Sequence, residues 1–177
     1  DWSESRGLGD VYKRQGVMNT SGGDKITSVK FWAKENSKLA KENGIENVLI
    51  MIDSEGDLAD ENRNRRNQSI DNHKLWVDAA NESGCKSIRV NLHGTNNKDK
   101  WKEYSIESLT ELASYAKSLN INVIVENHGQ LSSNIPVLME VINSVNMKNC
   151  GTLPDFGNFC MVSGYGNIFG GECPEIY

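Results

Sequence analysis

The chain has 177 residues, 37% of them hydrophobic and 24% charged, and no apolar run approaches the roughly 18–20 residues of a membrane-spanning helix. Its 19 basic and 24 acidic residues leave a net charge of −5, the wrong sign for a protein whose main work is gripping nucleic acid or an anionic membrane surface. A mean hydropathy of −0.54 with only three prolines and no low-complexity tract predicts one folded soluble domain rather than disorder.

Ser5 to Gln15, SRGLGDVYKRQ, looks like the translation of a sequencing adaptor read through in frame. Residues 1–15 are therefore set aside as non-native, and 16–177 are read as the protein. The cytoplasm is the expected location, with any leader unreadable because the true start is missing. The apolar positions Ile26, Val29, Trp32, Ala33, Leu39 and Ala40 then recur at helical spacing and predict a helix from Asp24 to Asn43. Val48 to Ile52 is an unbroken apolar run of strand length, as in a parallel strand buried on both faces. The polar stretch from Ser54 to Ser69 reads as a loop, followed by a helix from about Asp71 to Ser83 and a strand from Ser87 to Asn91.

Leu109, Leu112, Ala113 and Ala116 mark a third helix, with Ser105 placed to cap it. Ile121 to Val125 is a strand, Asn134 and Pro136 open a helix, and Cys150 to Leu153 begins a fourth strand. Strand and helix alternate, which implies a parallel sheet with helical crossovers. Two architectures fit: a doubly wound open sheet, or a β/α barrel cut short at both ends. Cys85, Cys150, Cys160 and Cys173 lack metal-site spacing and read as free thiols, and the glycines after Phe159 read as a loop rather than a phosphate cradle.

Each strand ends in polar groups: Asp53 after the first, Asn91 and His93 after the second, Glu126, Asn127 and His128 after the third, Asp155 and Asn158 after the fourth. In a β/α barrel these ends converge on one mouth, and catalytic residues come from several strands. A carboxylate buried there is costly without a metal or partner, and carboxylates with imidazoles beside them suit a divalent cation. Blander roles fit some of them: Asp53 suits a turn, and His73 suits packing within its helix.

The segments NHKLWVDAANESGCKSIRVN, VIVENHG and GTLPDFGNF resemble the sugar phosphate isomerase/epimerase family, the xylose-isomerase-like TIM barrels. The resemblance implies a partial TIM (β/α)8 barrel, truncated at both ends and running from the second helix to the sixth strand. It implies that Glu126 and Asp155 bind a divalent metal ion (Mn, Mg, Co or Zn), with a further His and Glu from later strands beyond Tyr177. Many relatives carry histidine where this chain has Asn158, a poor metal ligand that still bonds a hydroxyl. That departure, with only three histidines and the acidic charge, fits the DNA-cleaving branch of the superfamily badly.

The implied activity is a metal-dependent isomerase or epimerase acting on a sugar, sugar phosphate or related polyol-ketone through an enediolate. Glu126 would move the proton, and Asn91, His93, His128 and Asn158 would orient the substrate's hydroxyls. A lyase or dehydratase on the same scaffold, and a sugar-binding barrel without catalysis, are the alternatives. A small sugar-like molecule is the expected partner, with neither nucleic acid nor membrane, and self-association is compatible. The fragment alone is expected to be inactive.

Overall fold

A computed structural model describes residues 24–159. The adaptor-like segment, Cys160, Cys173 and the glycine-rich stretch expected around 164–171 lie outside these residues. The described chain runs α1 (Lys25–Glu42), β1 (Leu49–Met51), α2 (Arg63–Ser83), β2 (Ser87–Asn91), α3 (Lys98–Lys117), β3 (Asn122–Glu126), α4 (Ile135–Val145) and β4 (Cys150–Leu153). All strands pair in parallel in the order β1-β2-β3-β4. Each helix packs against the next. Sequential strand order with one side-by-side helix layer is the winding of a β/α barrel; a doubly wound sheet would reverse its order at a switch point. The barrel alternative is therefore the observed one.

The period of two along each strand divides the sheet's faces. Ile50 and Ile52, Ile88 and Val90, and Val123 and Val125 are buried and belong to the core that the helices complete. There Trp32 of α1 meets Trp76 of α2 edge to face, ring centroids 5.7 Å apart. Leu109, Leu112, Ala113 and Ala116 of α3 are fully buried in the same core. Burying a leucine of this kind contributes about 1.5–3 kcal/mol. The opposite face carries Met51, Arg89, Ile124 and Gly151 in register from β1 to β4. Among the described residues no helix is long and apolar enough to cross a membrane.

Two expected boundaries need correction. The stretch expected as a loop up to Ser69 already contains the first turns of α2, whose N-cap Asn62 accepts bonds from the backbone N–H of Asn64 and Arg65. Its buried stripe begins at Arg66, Ser69 and Ile70, so polarity concealed the helical period. Arg66 is tolerated there because it pairs with Glu107 at 2.6 Å and lies over the Tyr104 ring. Ser105 caps nothing: α3 begins a full two turns earlier, capped by Asn97, and Ser105 is buried in mid-helix. Of the four cysteines, Cys85 and Cys150 are described, and both are free, with burial pushing each thiol up to about 11.

His73 is the packing histidine its helix suggested, buried with Nδ1 2.7 Å from the Ser69 carbonyl oxygen. Burial lowers its pKa below 6.5, partly offset by the Ser69 carbonyl and nearby Glu55 and reinforced by Lys25. A histidine held neutral by the fold stabilises it above the unfolded pKa, and that contribution is lost as pH falls through the depressed folded value. The urea midpoint should therefore drop between about pH 7.5 and about pH 5.5. The drop should shrink in His73→Leu; an unchanged drop would assign it to other groups.

Candidate active site at the strand ends

Register and pleat bring the polar strand ends to one place. Asn91 pairs with Glu126, and Glu126 with Leu153, so Asn91, Glu126 and Asp155 follow one another on the face opposite the helices. Asp53, two residues beyond Met51, has the same parity. Arg89 lies one pleat deeper, level with Met51 and Ile124.

Glu126 and Asp155 meet on a single amide. Asn158 donates through Nδ2 to Glu126 Oε1 at 3.2 Å and to Asp155 Oδ2 at 3.0 Å. The Asp155 main chain is held in turn by Asn127, which accepts from the Asp155 N–H at 2.7 Å and donates to its carbonyl at 3.0 Å. Asn127 thus extends the β3–β4 ladder by one step with a side chain. Glu126 is 5% exposed, and burial pushes its carboxyl pKa above the usual value of 4.5. Asp155 adds to that rise, while Arg89 and His128 oppose it.

The other Glu126 oxygen, Oε2, lies 2.8 Å from Arg89 Nε, an ion pair whose N–H is not aligned for a hydrogen bond. Arg89 also donates through Nη1 to Asp53 Oδ1 and to the Ile52 carbonyl. Asp53 thus serves as the counter-ion of a buried arginine. It also accepts from Asn91 Nδ2 at 3.2 Å, leaving Asn91 Oδ1 buried without a hydrogen-bond partner.

His93 and His128, from the ends of β2 and β3, stand edge to face with ring centroids 5.6 Å apart. Burial lowers the pKa of His93, and the neighbouring His128 lowers it further, so the ring favours its neutral form. His128 sits on a loop fixed by serine hydroxyls, which accept from the backbone N–H of His128 and Gly129. His93 is fixed from the loop after β1: Ala59 donates to the His93 carbonyl at 2.9 Å and accepts from Thr95 at 3.0 Å.

Every candidate residue therefore lies at the strand ends, in two groups: Asn91, Glu126, Asp155 and Asn158 around the carboxylates, and His93 with His128 beside them. The sequence reading missed Arg89 and Asn127 as supports of the carboxylates. A charged residue between Ile88 and Val90 in an apolar strand was the available signal for Arg89, since unpaired buried charge is rare. Asn127 carried no comparable signal. Among the described residues no group of three or more His, Cys, Asp and Glu side chains converges as a metal site. Glu126 and Asp155 form a converging pair of oxygen donors, the hard chemistry that a divalent cation accepts.

Comparison with known proteins places this geometry. No curated protein matches the chain in sequence. Solved structures share its fold. One is a D-tagatose 3-epimerase-like protein, at 18% identity and TM-score 0.66 over 71% of this chain and 51% of that one. Another is the 3-keto-D-glucoside 4-epimerase YcjR from E. coli, at 17% identity and TM-score 0.64 over 73% and 57%. A third, the IOLI protein with a bound zinc atom, gives 19% identity and TM-score 0.67 over 86% and 53%. The chain thus spans roughly half the length of these structures. A family model described as the xylose isomerase-like TIM barrel matches residues 18–173. With the parallel, sequentially wound sheet and the polar residues gathered at its strand ends, the chain belongs to the xylose isomerase-like TIM barrel family.

Proposed function

We propose that this site belongs to a divalent-metal-dependent isomerase or epimerase acting on a sugar or related polyol-ketone. The observation that carries the reading is the meeting of the Glu126 and Asp155 carboxylates on the Asn158 amide. The donor chemistry fits a divalent cation: Glu126 Oε1 and Asp155 Oδ2 are hard oxygen donors brought together on one amide nitrogen. Glu126 and Asp155 would hold the ion as two of its oxygen ligands. Bound there, the ion supplies Lewis-acid stabilisation of charge developing on a carbonyl oxygen. That one fold relative is a sugar epimerase, another a sugar epimerase-like protein and a third holds zinc supports the reading.

Glu126 is the carboxylate placed to take a proton from the carbon beside the carbonyl and return it, to the neighbouring carbon or the other face. Asn91 Oδ1, buried and unpartnered, is poised to accept from a substrate hydroxyl. Asn158 Nδ2 steadies both carboxylates, and the two imidazoles flank the mouth as hydroxyl partners.

The test combines metal analysis with incubation of ketoses and ketose phosphates in D2O. The reading expects a bound divalent ion that is lost in Asp155→Asn, and deuterium entering next to the carbonyl of a mass-neutral isomer. A dehydrated product would move the assignment to a lyase. Absence of both metal and exchange would leave a binding barrel.

A further inference from the structure

Arg89 is the one charged side chain placed in the middle of a described strand and buried there, at 2% exposure. Burying a guanidinium costs several kcal/mol unless carboxylates and hydrogen bonds offset it. The fold supplies both. Asp53 and the Ile52 carbonyl, at the end of β1, take one arm, and Glu126 Oε2, on β3, faces Nε at 2.8 Å. The planar group thus spans from β1 to β3 beneath the candidate site. Its position one pleat deeper than Glu126 follows from the pairing of Arg89 with Ile124.

This divides the two oxygens of Glu126. Oε2 is turned inward toward the guanidinium, and Oε1 is turned toward Asn158 and, through it, Asp155. Were the carboxylate to rotate, the inward oxygen would leave a buried cation with one partner fewer. We propose that Arg89 is a positioning residue: anchored on Asp53, it holds Glu126 so that one oxygen stays beside Asp155 for a divalent cation. The inference rests on the metal reading above and assigns Asp53 and Arg89 as a unit. Because the Nε–H is not aligned on Oε2, the restraint is Coulombic.

Mn2+ titration by calorimetry, in a chain completed to the length of its fold relatives and with thermal unfolding of each variant, tests it. Removing Arg89 alone would alter the charge around the cation, so the informative variant is Asp53→Asn with Arg89→Met, which leaves the net charge unchanged. It should bind Mn2+ at least about tenfold more weakly while still unfolding cooperatively. Arg89→Lys, which keeps a cation between the carboxylates, should bind more tightly than that double variant. Lys86→Met, which breaks an exposed pair with Glu46 elsewhere, should match the parent.

Parental Mn2+ affinity in the double variant would overturn the positioning role and leave the metal reading standing. Equal weakness in Arg89→Lys would overturn the Coulombic restraint. If neither Arg89 variant folds, the residue is structural and the proposal falls. A parent whose Mn2+ binding is absent, or survives Glu126→Gln, overturns the metal reading and this inference with it.

Discussion

In a chain completed to the length of its fold relatives, Glu126→Gln is expected to lower kcat by roughly 10²–10⁴-fold, the usual contribution of a positioned acid or base, without loss of the cooperative unfolding transition. The substitution preserves shape and keeps an oxygen for Asn158 while removing the group that exchanges a proton. The stability expectation follows from the sign of the pKa shift. A carboxyl whose folded pKa is raised stabilises the fold below its unfolded value, and that stabilisation is lost as pH rises through the folded value. A neutral amide relieves the burial cost of the charge, while its nitrogen, turned toward Arg89 Nε, removes that ion pair, so the two changes oppose each other in stability. Arg89 keeps its bonds to Asp53 and Ile52 in the variant. The measurement is kcat at saturating Mn2+, on the ketose identified by deuterium exchange, beside a thermal melt. Turnover near the parent's would end the assignment of Glu126 as the base.

Gly94→Ala should cost on the order of 2–5 kcal/mol, combining a disfavoured backbone conformation with overpacking. Gly94 has φ +152°, and an added Cβ would lie 2.1 Å from the Ala59 carbonyl oxygen, a backbone atom that no rotamer change can move aside. The same carbonyl accepts from Thr95, and the Ala59 N–H donates to His93. Strain at Gly94 must therefore open the tie between the loops after β1 and β2, and His93 moves with it. Gly44→Ala is the control. Its φ is +63°, yet nothing lies within 4 Å of the added carbon, so only the left-handed cost of about 1 kcal/mol applies. Urea midpoints for the two variants separate crowding from conformation; equal losses would remove the crowding explanation.

The sequence disclosed the alternation well because its strand interiors and the stripe of α4 are strongly apolar. β2 and β4 match their expected bounds, and Asn134 caps α4. The starts of α2 and α3 stayed concealed for one reason: their first turns present polar residues. Arg66 is buried through ion pairing and stacking, while Lys98 to Lys100 lie in solvent. A periodicity reading sees hydrophobicity and has no view of a guanidinium made acceptable by Glu107. The same limit governed the site. The strand-end rule singled out Glu126 and Asp155 as candidates, which the fold brings together on Asn158, because terminal polarity after an apolar strand is a local signal. The supports around them depend on distant partners, as Arg89 does on Asp53 and Asn127 on the Asp155 main chain. The local pattern is likewise shared by barrel and doubly wound sheet, so the barrel came from the family resemblance, and the pairing order bears it out.

The register of β3 between β2 and β4 has a consequence for how the site comes into being. Glu126 and Ile124 share one face, while Val125 and Val123 share the other. A slip of one residue would send Glu126 into the apolar layer beneath the helices and bring the valines to the mouth. The misfolded sheet would then hold a bare carboxylate among leucines and isoleucines. A chain that has buried its valines on the helix side has thereby already turned Glu126 to the other face. Selection on the hydrophobic layer alone would therefore also guard the facing of Glu126.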